Sequence, residues 1–259
     1  APTIDLGIAT LELAAFLGRL SESGYYDADR NNDYRSLSGF ALVFQPGSGL
    51  TLGGGVLRHR RSGRVPPLRD LFAFATSPFA YLRGRDENDN GLMSVFVNWD
   101  HPAAGLSVYL EWGREDFFYD LNDLLTNPDH SRGYTLGLTK TASLGNRDVL
   151  LVAELTQLAS SPNTWYISGD VPHGHTHRGQ LLGAWVGPGS EGQYASVDVT
   201  GHGGARWSAY LERIRWDDAT YRYRFLTHYG FRGHDVEIRT GLGHGRSLGP
   251  LLLDASFGI

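Results

Sequence analysis

From Gly91 onward the chain is written in runs of about ten residues that alternate apolar and polar side chains, each run closed by a turn. Alternation with a period of two puts one set of side chains on each face of an extended strand, so this rhythm commits the chain to antiparallel β-structure. In residues 91–100, Met93, Val95, Val97 and Trp99 fall on one face and Ser94, Phe96, Asn98 and Asp100 on the other. A link over 101–105 returns the chain as Leu106, Val108, Leu110 and Trp112 against Ser107, Tyr109, Glu111 and Gly113, which is the second arm of a hairpin. Both arms end their apolar stripe in a Trp, the residue type that anchors strands at a membrane–water interface.

The pattern recurs downstream. Residues 132–143 set Tyr134, Leu136 and Leu138 against Thr135, Gly137 and Thr139, and Gly145-Asn146 turns them into a strand over 149–158. A short strand is expected over 181–186, stopped by Gly187-Pro188-Gly189, then strands over 194–199, 206–216 and 220–229. The last run, 251–259, carries Leu251, Leu253, Ala255, Phe257 and Ile259 on one face. Upstream, 9–20, 37–44 and 50–60 read as strands, with 45–49 a tight turn and 22–32 a polar loop. The stretch 62–90 is poor in strand signal, and its segment 69–75 suits a short helix or an inward-folded loop. The expectation is an all-β antiparallel transmembrane β-barrel forming a single domain over 1–259, with about twelve strands, an even number.

A barrel follows from what the chain lacks as well. No run of 18 apolar residues occurs, so it has no segment that crosses a bilayer as a helix. A closed sheet is the other structure that satisfies every backbone N–H and C=O inside lipid. The 34 Gly, 13 Tyr and 12 Phe suit tight turns and aromatic strands. The absence of Cys removes disulfides and thiolate metal sites together. A net charge of -5, with His59-Arg60-Arg61 the longest basic run, gives no nucleic-acid partner. Lys140 is the sole lysine, and Ala1 opens the chain without the basic and apolar segments of a signal peptide, as a mature or truncated product would.

Two stretches carry more than strand filler. One runs from Glu111-Trp112-Gly113-Arg114-Glu115-Asp116 through Asp120, Asp123 and Pro128-Asp129-His130-Ser131-Arg132 to Tyr134-Thr135-Leu136-Gly137-Leu138. The other is His173-Gly174-His175-Thr176-His177-Arg178-Gly179-Gln180, continuing to Gly187-Pro188-Gly189-Ser190. Together, over residues 91–259, they resemble the capsule assembly proteins of the Wzi type, whose members are generally longer. The resemblance implies a bacterial outer-membrane barrel that binds capsular or other surface polysaccharide without catalysis, in contact with outer-membrane lipid and with no cofactor.

Glycan recognition needs planar hydrogen-bonding groups beside aromatic faces. Trp112, Arg114, Glu115, Asp120, Asp123, His130, Arg132, His177, Arg178 and Gln180 are the candidates, with Phe117, Phe118 and Tyr119 interleaved; the bland reading is a solvated loop with aromatic anchors. On an extended strand His173, His175 and His177 would share one face and with Asp170 would suit zinc or copper, but the Gly and Pro around them favour a loop and no metal. Arg213, Arg222, Arg224 and Arg239 with Glu154, Asp198, Glu212 and Glu237 suit a lumenal charge ladder. No nucleophile elbow, P-loop, zincin or dinucleotide motif is present, and Glu111 with Asp116 as a glycosidase pair rests on proximity alone. A porin-like channel and a soluble β-rich carbohydrate-binding protein stay open as alternatives, as does the oligomeric state.

Overall fold

The computed structural model describes residues 3–29, 32–68, 89–115, 121–159, 165–169, 171, 173–201, 203–218, 221, 235–248 and 251–259. Twelve strands form one antiparallel sheet: β1 (Thr3–Asp5), β2 (Thr10–Leu20), β3 (Arg35–Gly47), β4 (Leu50–Arg61), β5 (Asp89–His101), β6 (Leu106–Glu115), β7 (Arg132–Leu144), β8 (Arg147–Gln157), β11 (Glu191–Gly201), β12 (Ala205–Trp216), β13 (Asp235–Leu248) and β14 (Leu251–Gly258). Between β8 and β11, β9 (Thr176–His177) and β10 (Gln180–Leu181) pair with each other as a small separate ribbon. Each strand of the large sheet pairs with its neighbour in chain order, and β1 and β14 are its edges among the described residues.

Pairing in register carries each strand's alternation across the sheet, because cross-strand partners point to the same side. Leu42, Gly54, Val95, Trp112 and Tyr134 form one such row, and Ala209, Leu242 and Phe257 another. This face is apolar and open: Leu211 is 55% exposed, Ile238 63% and Leu242 67%. The opposite, inner face is polar. Tyr109, Gly137, Glu154, Tyr194, Glu212 and Arg239 make a single row across six strands. Within it Tyr109 donates to Glu154, and Arg239 reaches Glu212 at 2.9 Å and Glu237 at 2.6 Å. Arg206 meets Asp198 at 2.6 Å on the same face. The expected charge ladder is thus present in Glu154, Asp198, Glu212, Glu237 and Arg239; Arg213 instead sits in the register of the apolar face, near its edge, with Glu191 and Gln193.

Connections sort by length to the two ends of the sheet. Residues 48–49, 102–105, 145–146, 202–204 and 249–250 join strands at one end. At the 102–105 link Gly105 takes φ 58, a left-handed conformation that closes a 3-10 turn over Pro102–Ala104. Residues 21–34, 62–88, 116–131, 158–190 and 217–234 join them at the other end, and within 116–131 lies a short helix, α1 (Leu121–Thr126).

The strand count agrees with the sequence reading, although the membership differs. Residues 182–190 are not a strand: Gly187 (φ 79) and Gly189 (φ 57) turn the backbone away from extended geometry, and only Gln180–Leu181 pair. The strand expected over 220–229 and the helix or loop expected over 69–75 lie outside the described residues, Tyr221 apart. Two strands had no place in the sequence reading, β1 and the 14-residue β13. Beyond Glu237 and Arg239 the inner face of β13 continues as Gly241, Gly243 and Gly245, and a side chain at Gly241 or Gly243 would collide with Tyr210 or Ser208 of β12.

Candidate functional site

The described residues of the connection 158–190 do not stand away from the sheet but pack over its inner face. Trp165 packs on the bare backbones of Gly113 and Gly133, where an added Cβ would come within 2.9 Å of the indole. Leu158, Trp165, Tyr166 and Val186 cluster with Leu92 of β5 and reach Leu57 of β4, forming the apolar heart of the described chain. Trp185 Nε1 donates to Glu154 Oε1 at 2.6 Å, fastening the same segment to β8. The segment is therefore a plug, seated at the end of the sheet where the long connections gather.

A polar lattice locks the plug. Arg35, wholly buried on β3, donates to Gly174 O at 2.7 Å and Thr176 Oγ1 at 3.2 Å, and to Ser21 O at 2.9 Å. Glu115 accepts from Asn90 Nδ2 at 2.9 Å and, through its other oxygen, from the Tyr166 backbone N–H at 3.1 Å. His175 packs at a tilt against His59 of β4, with ring centroids 4.5 Å apart and planes inclined by 56°, and its Nε2 lies 3.5 Å from Asn90 Nδ2. Burial disfavours the imidazolium, and nearby Arg35 adds to this, so the His175 pKa falls to about 4. Burial likewise pushes the Tyr166 phenol up to about 12, with Glu111 and Glu115 adding to the rise and the hydrogen bond from Ala184 N–H opposing it. Both groups are neutral near pH 7. Beneath the plug a cavity of about 270 Å³ lies between Phe16, Ser94, Glu111, Trp165 and Tyr166.

The candidate residues divide among four settings. Arg114 and Glu115 are buried structural members, Arg114 donating to Asn127 O at 3.1 Å. His130 and Arg132 are exposed on the rim where 116–131 rejoins β7. Arg178 and Gln180 are exposed on the β9–β10 turn, with Arg178 at φ 51, while His177 is half-buried and accepts from the Ser21 N–H through Nδ1 at 3.2 Å. Trp112 stands in the apolar outer row, two residues along β6 from Arg114, whose cross-strand partner Arg132 shares that face. Asp123 falls in α1, and Asp116, Phe117, Phe118, Tyr119 and Asp120 lie outside the described residues, as does Asp170. The three histidines do not share a face, because His173 (φ 62) and Gly174 (φ 56) break the extended run; His175 points to His59, His177 to Ser21 and His173 to Asp33. Sequence reasoning missed Arg35, His59, Asn90, Trp165 and Tyr166. Their signal was available in part: a Trp-Tyr pair inside a polar, Gly-rich connection is a segment that must dock somewhere.

A polar inner face, an open apolar outer face and long connections gathered at one end are together the architecture of a transmembrane β-barrel. No family model matches the sequence, and no curated protein does. Among solved structures the chain is similar to Wzi of Escherichia coli, an outer-membrane protein involved in group 1 capsule assembly and described as a carbohydrate-binding β-barrel. The TM-score is 0.64 at 17% identity, over 96% of this chain and 51% of that one, so the chain spans about half the length of Wzi and shares its fold. OmpF of Salmonella typhi, solved in complex with daunomycin, aligns over 99% of this chain and 92% of its own at 10% identity, with a TM-score of 0.33 that carries no weight here.

Proposed function

We propose that this chain forms a single barrel domain of a bacterial outer membrane that holds surface or capsular polysaccharide at the cell exterior, without catalysis. The observation that carries the reading is the plugged end: Arg178 and Gln180 are exposed on a connection locked down by Arg35 and Glu115, and His130 and Arg132 are exposed where another long connection rejoins the sheet at the same end. In outer-membrane barrels the longer loops face outward, so this end would meet the polysaccharide. Wzi binds carbohydrate, and its fold supports the same role here. Planar guanidinium and amide groups suit sugar hydroxyls and carboxylates. Pyruvate, uronate or other acidic substituents would favour Arg132 and Arg178 in particular.

The plug favours attachment over conduction, since a porin-like path needs a lumen open at both ends. The open apolar rows favour lipid over water as the surrounding medium, because a soluble sheet buries such a face. The test is binding of purified acidic and neutral bacterial surface polysaccharides to the detergent-folded protein. Arg132→Ala with Arg178→Ala should weaken binding about tenfold, as loss of charge-assisted hydrogen bonds does, while gel mobility before and after boiling stays that of the wild type. Absence of binding, together with steady ion conductance in planar bilayers, would replace this reading with the channel.

A further inference from the structure

His173 leaves the line of its neighbouring histidines and ends beside two carboxylates from the connection 21–34. Its Nε2 lies 3.0 Å from Asp33 Oδ2 and 3.9 Å from Glu22 Oε2, and one donor atom from each of the three residues falls within 4.8 Å of the others. The three side chains are withdrawn from solvent, with 6%, 16% and 3% exposure for His173, Asp33 and Glu22. Two carboxylates desolvated this close together repel one another unless a cation stands between them.

The surroundings hold these donors in place. Glu22 Oε1 accepts from the Asn32 N–H at 2.9 Å, and the Arg61 guanidinium lies 3.6 Å from Asp33 Oδ1, so the second oxygen of each carboxylate faces the imidazole. Thr176 Oγ1 donates to His173 O at 3.0 Å, and Tyr26 packs edge-on against the imidazole with centroids 3.8 Å apart. Arg35 acts one step further out. It grips Ser21 O and Gly174 O, the carbonyls next to Glu22 and His173, and so fixes the two connections against each other, while its charge also acts on Asp33 and Glu22 without a hydrogen bond to either.

We propose that Glu22, Asp33 and His173 bind one divalent ion of the zinc class, which clasps the plug to the neighbouring connection. One imidazole nitrogen and two carboxylate oxygens are a borderline donor set that suits zinc, with a fourth position left to water. Tetrahedral donors at zinc bond lengths stand about 3.4 Å apart, and the two separations from His173, 3.0 and 3.9 Å, bracket that spacing. The inference is independent of any glycan, since it concerns how the plug is held.

The test is isothermal titration of the chelator-treated full chain, folded in detergent, with zinc chloride. Wild type should take up one zinc ion per chain, and His173→Gln and Asp33→Asn should each bind about tenfold more weakly or worse. His244→Ala, altering a histidine stacked on Trp207 in the outer-face register, should bind as wild type does. Zinc should also slow proteolysis within 173–181 in wild type and not in Asp33→Asn. Should His173→Gln fail to fold, the isosteric Asp33→Asn decides the matter. No stoichiometric uptake, or uptake that Asp33→Asn leaves unchanged, would overturn the proposal.

Discussion

The phenol ring of Tyr109 occupies the space that a side chain on Gly137, its cross-strand partner, would take. The same relationship joins Phe96 to Gly53 and Phe16 to Gly39 on the inner face. Aromatic rings laid over cross-strand glycines cover backbone that would otherwise be bare, and they fix the register that puts them there. Replacing Gly137 by Val forces the Tyr109 ring aside and breaks its hydrogen bond to Glu154. Overpacking of this kind should cost about 1–3 kcal/mol, read as a lower urea midpoint for unfolding in lipid vesicles, and Tyr109→Ala combined with it should recover part of the loss.

The two faces of β11 and β12 should answer oppositely to charge. Leu211, 55% exposed in the apolar register, faces lipid in the proposed membrane setting. Leu211→Arg there should cost about 2–4 kcal/mol near the bilayer midplane. Ser196, in the inner row with Tyr210, should accept Arg with little change, because its surroundings are already polar. Refolding yield into vesicles, followed by the boiled and unboiled gel mobilities, distinguishes them; equal effects would contradict the assignment of faces.

Arg35 should matter more to the plug than to the sheet. Arg35→Met leaves Gly174 O, Thr176 Oγ1 and Ser21 O without their buried donor. Losing a charged donor of this kind costs roughly 3 kcal/mol, and the loss should appear as faster amide exchange over 173–182 while the strands keep their protection.

Acid should loosen the same segment. The His175 pKa is about 4 in the folded chain against an ordinary 6.5, so the unfolded or opened form binds the proton more readily. Stability from this group is present in full above pH 6.5, falls as pH drops toward 4 and changes no further below it. The total is about 3 kcal/mol. The groups around the ring are His59, Arg35, Asn90 and Tyr166, so a proton placed there meets no carboxylate in contact. Amide exchange over 165–182 should quicken between pH 6.5 and 4.5 in wild type, and His175→Asn should lessen that dependence, leaving what the buried His59 contributes.

The hairpins β5–β6 and β7–β8 were legible because both of their faces carry the alternation, Met93 to Trp99 on one side and Ser94 to Asp100 on the other. β13 was hidden because the inner face of its second half is glycine, and what fills that space belongs to β12, out of reach of any local pattern. The run after Leu181 imitates a strand in composition, yet Gly183 sits against the Tyr166 ring and Gly187 turns the chain, two facts that only tertiary packing supplies. For the site, the rim positions of His130, Arg132, Arg178 and Gln180 follow from their turn-rich neighbourhoods. The pairing of His173 with Asp33 spans 140 positions, and nothing in local spacing announces it.

The plug touches β3 through Arg35, β8 through Glu154 and β11 through the contact of Val186 with Gly192, strands six ladder steps apart in the sheet. On a flat sheet that distance would be roughly 29 Å at the usual spacing of about 4.8 Å between strands. Such a connection braces the sheet across that span. Strand number and stagger set the girth of a closed sheet, and the connection braces the wall at that curvature, so that lengthening the segment between Tyr166 and Trp185 should loosen the brace and leave the ladders paired.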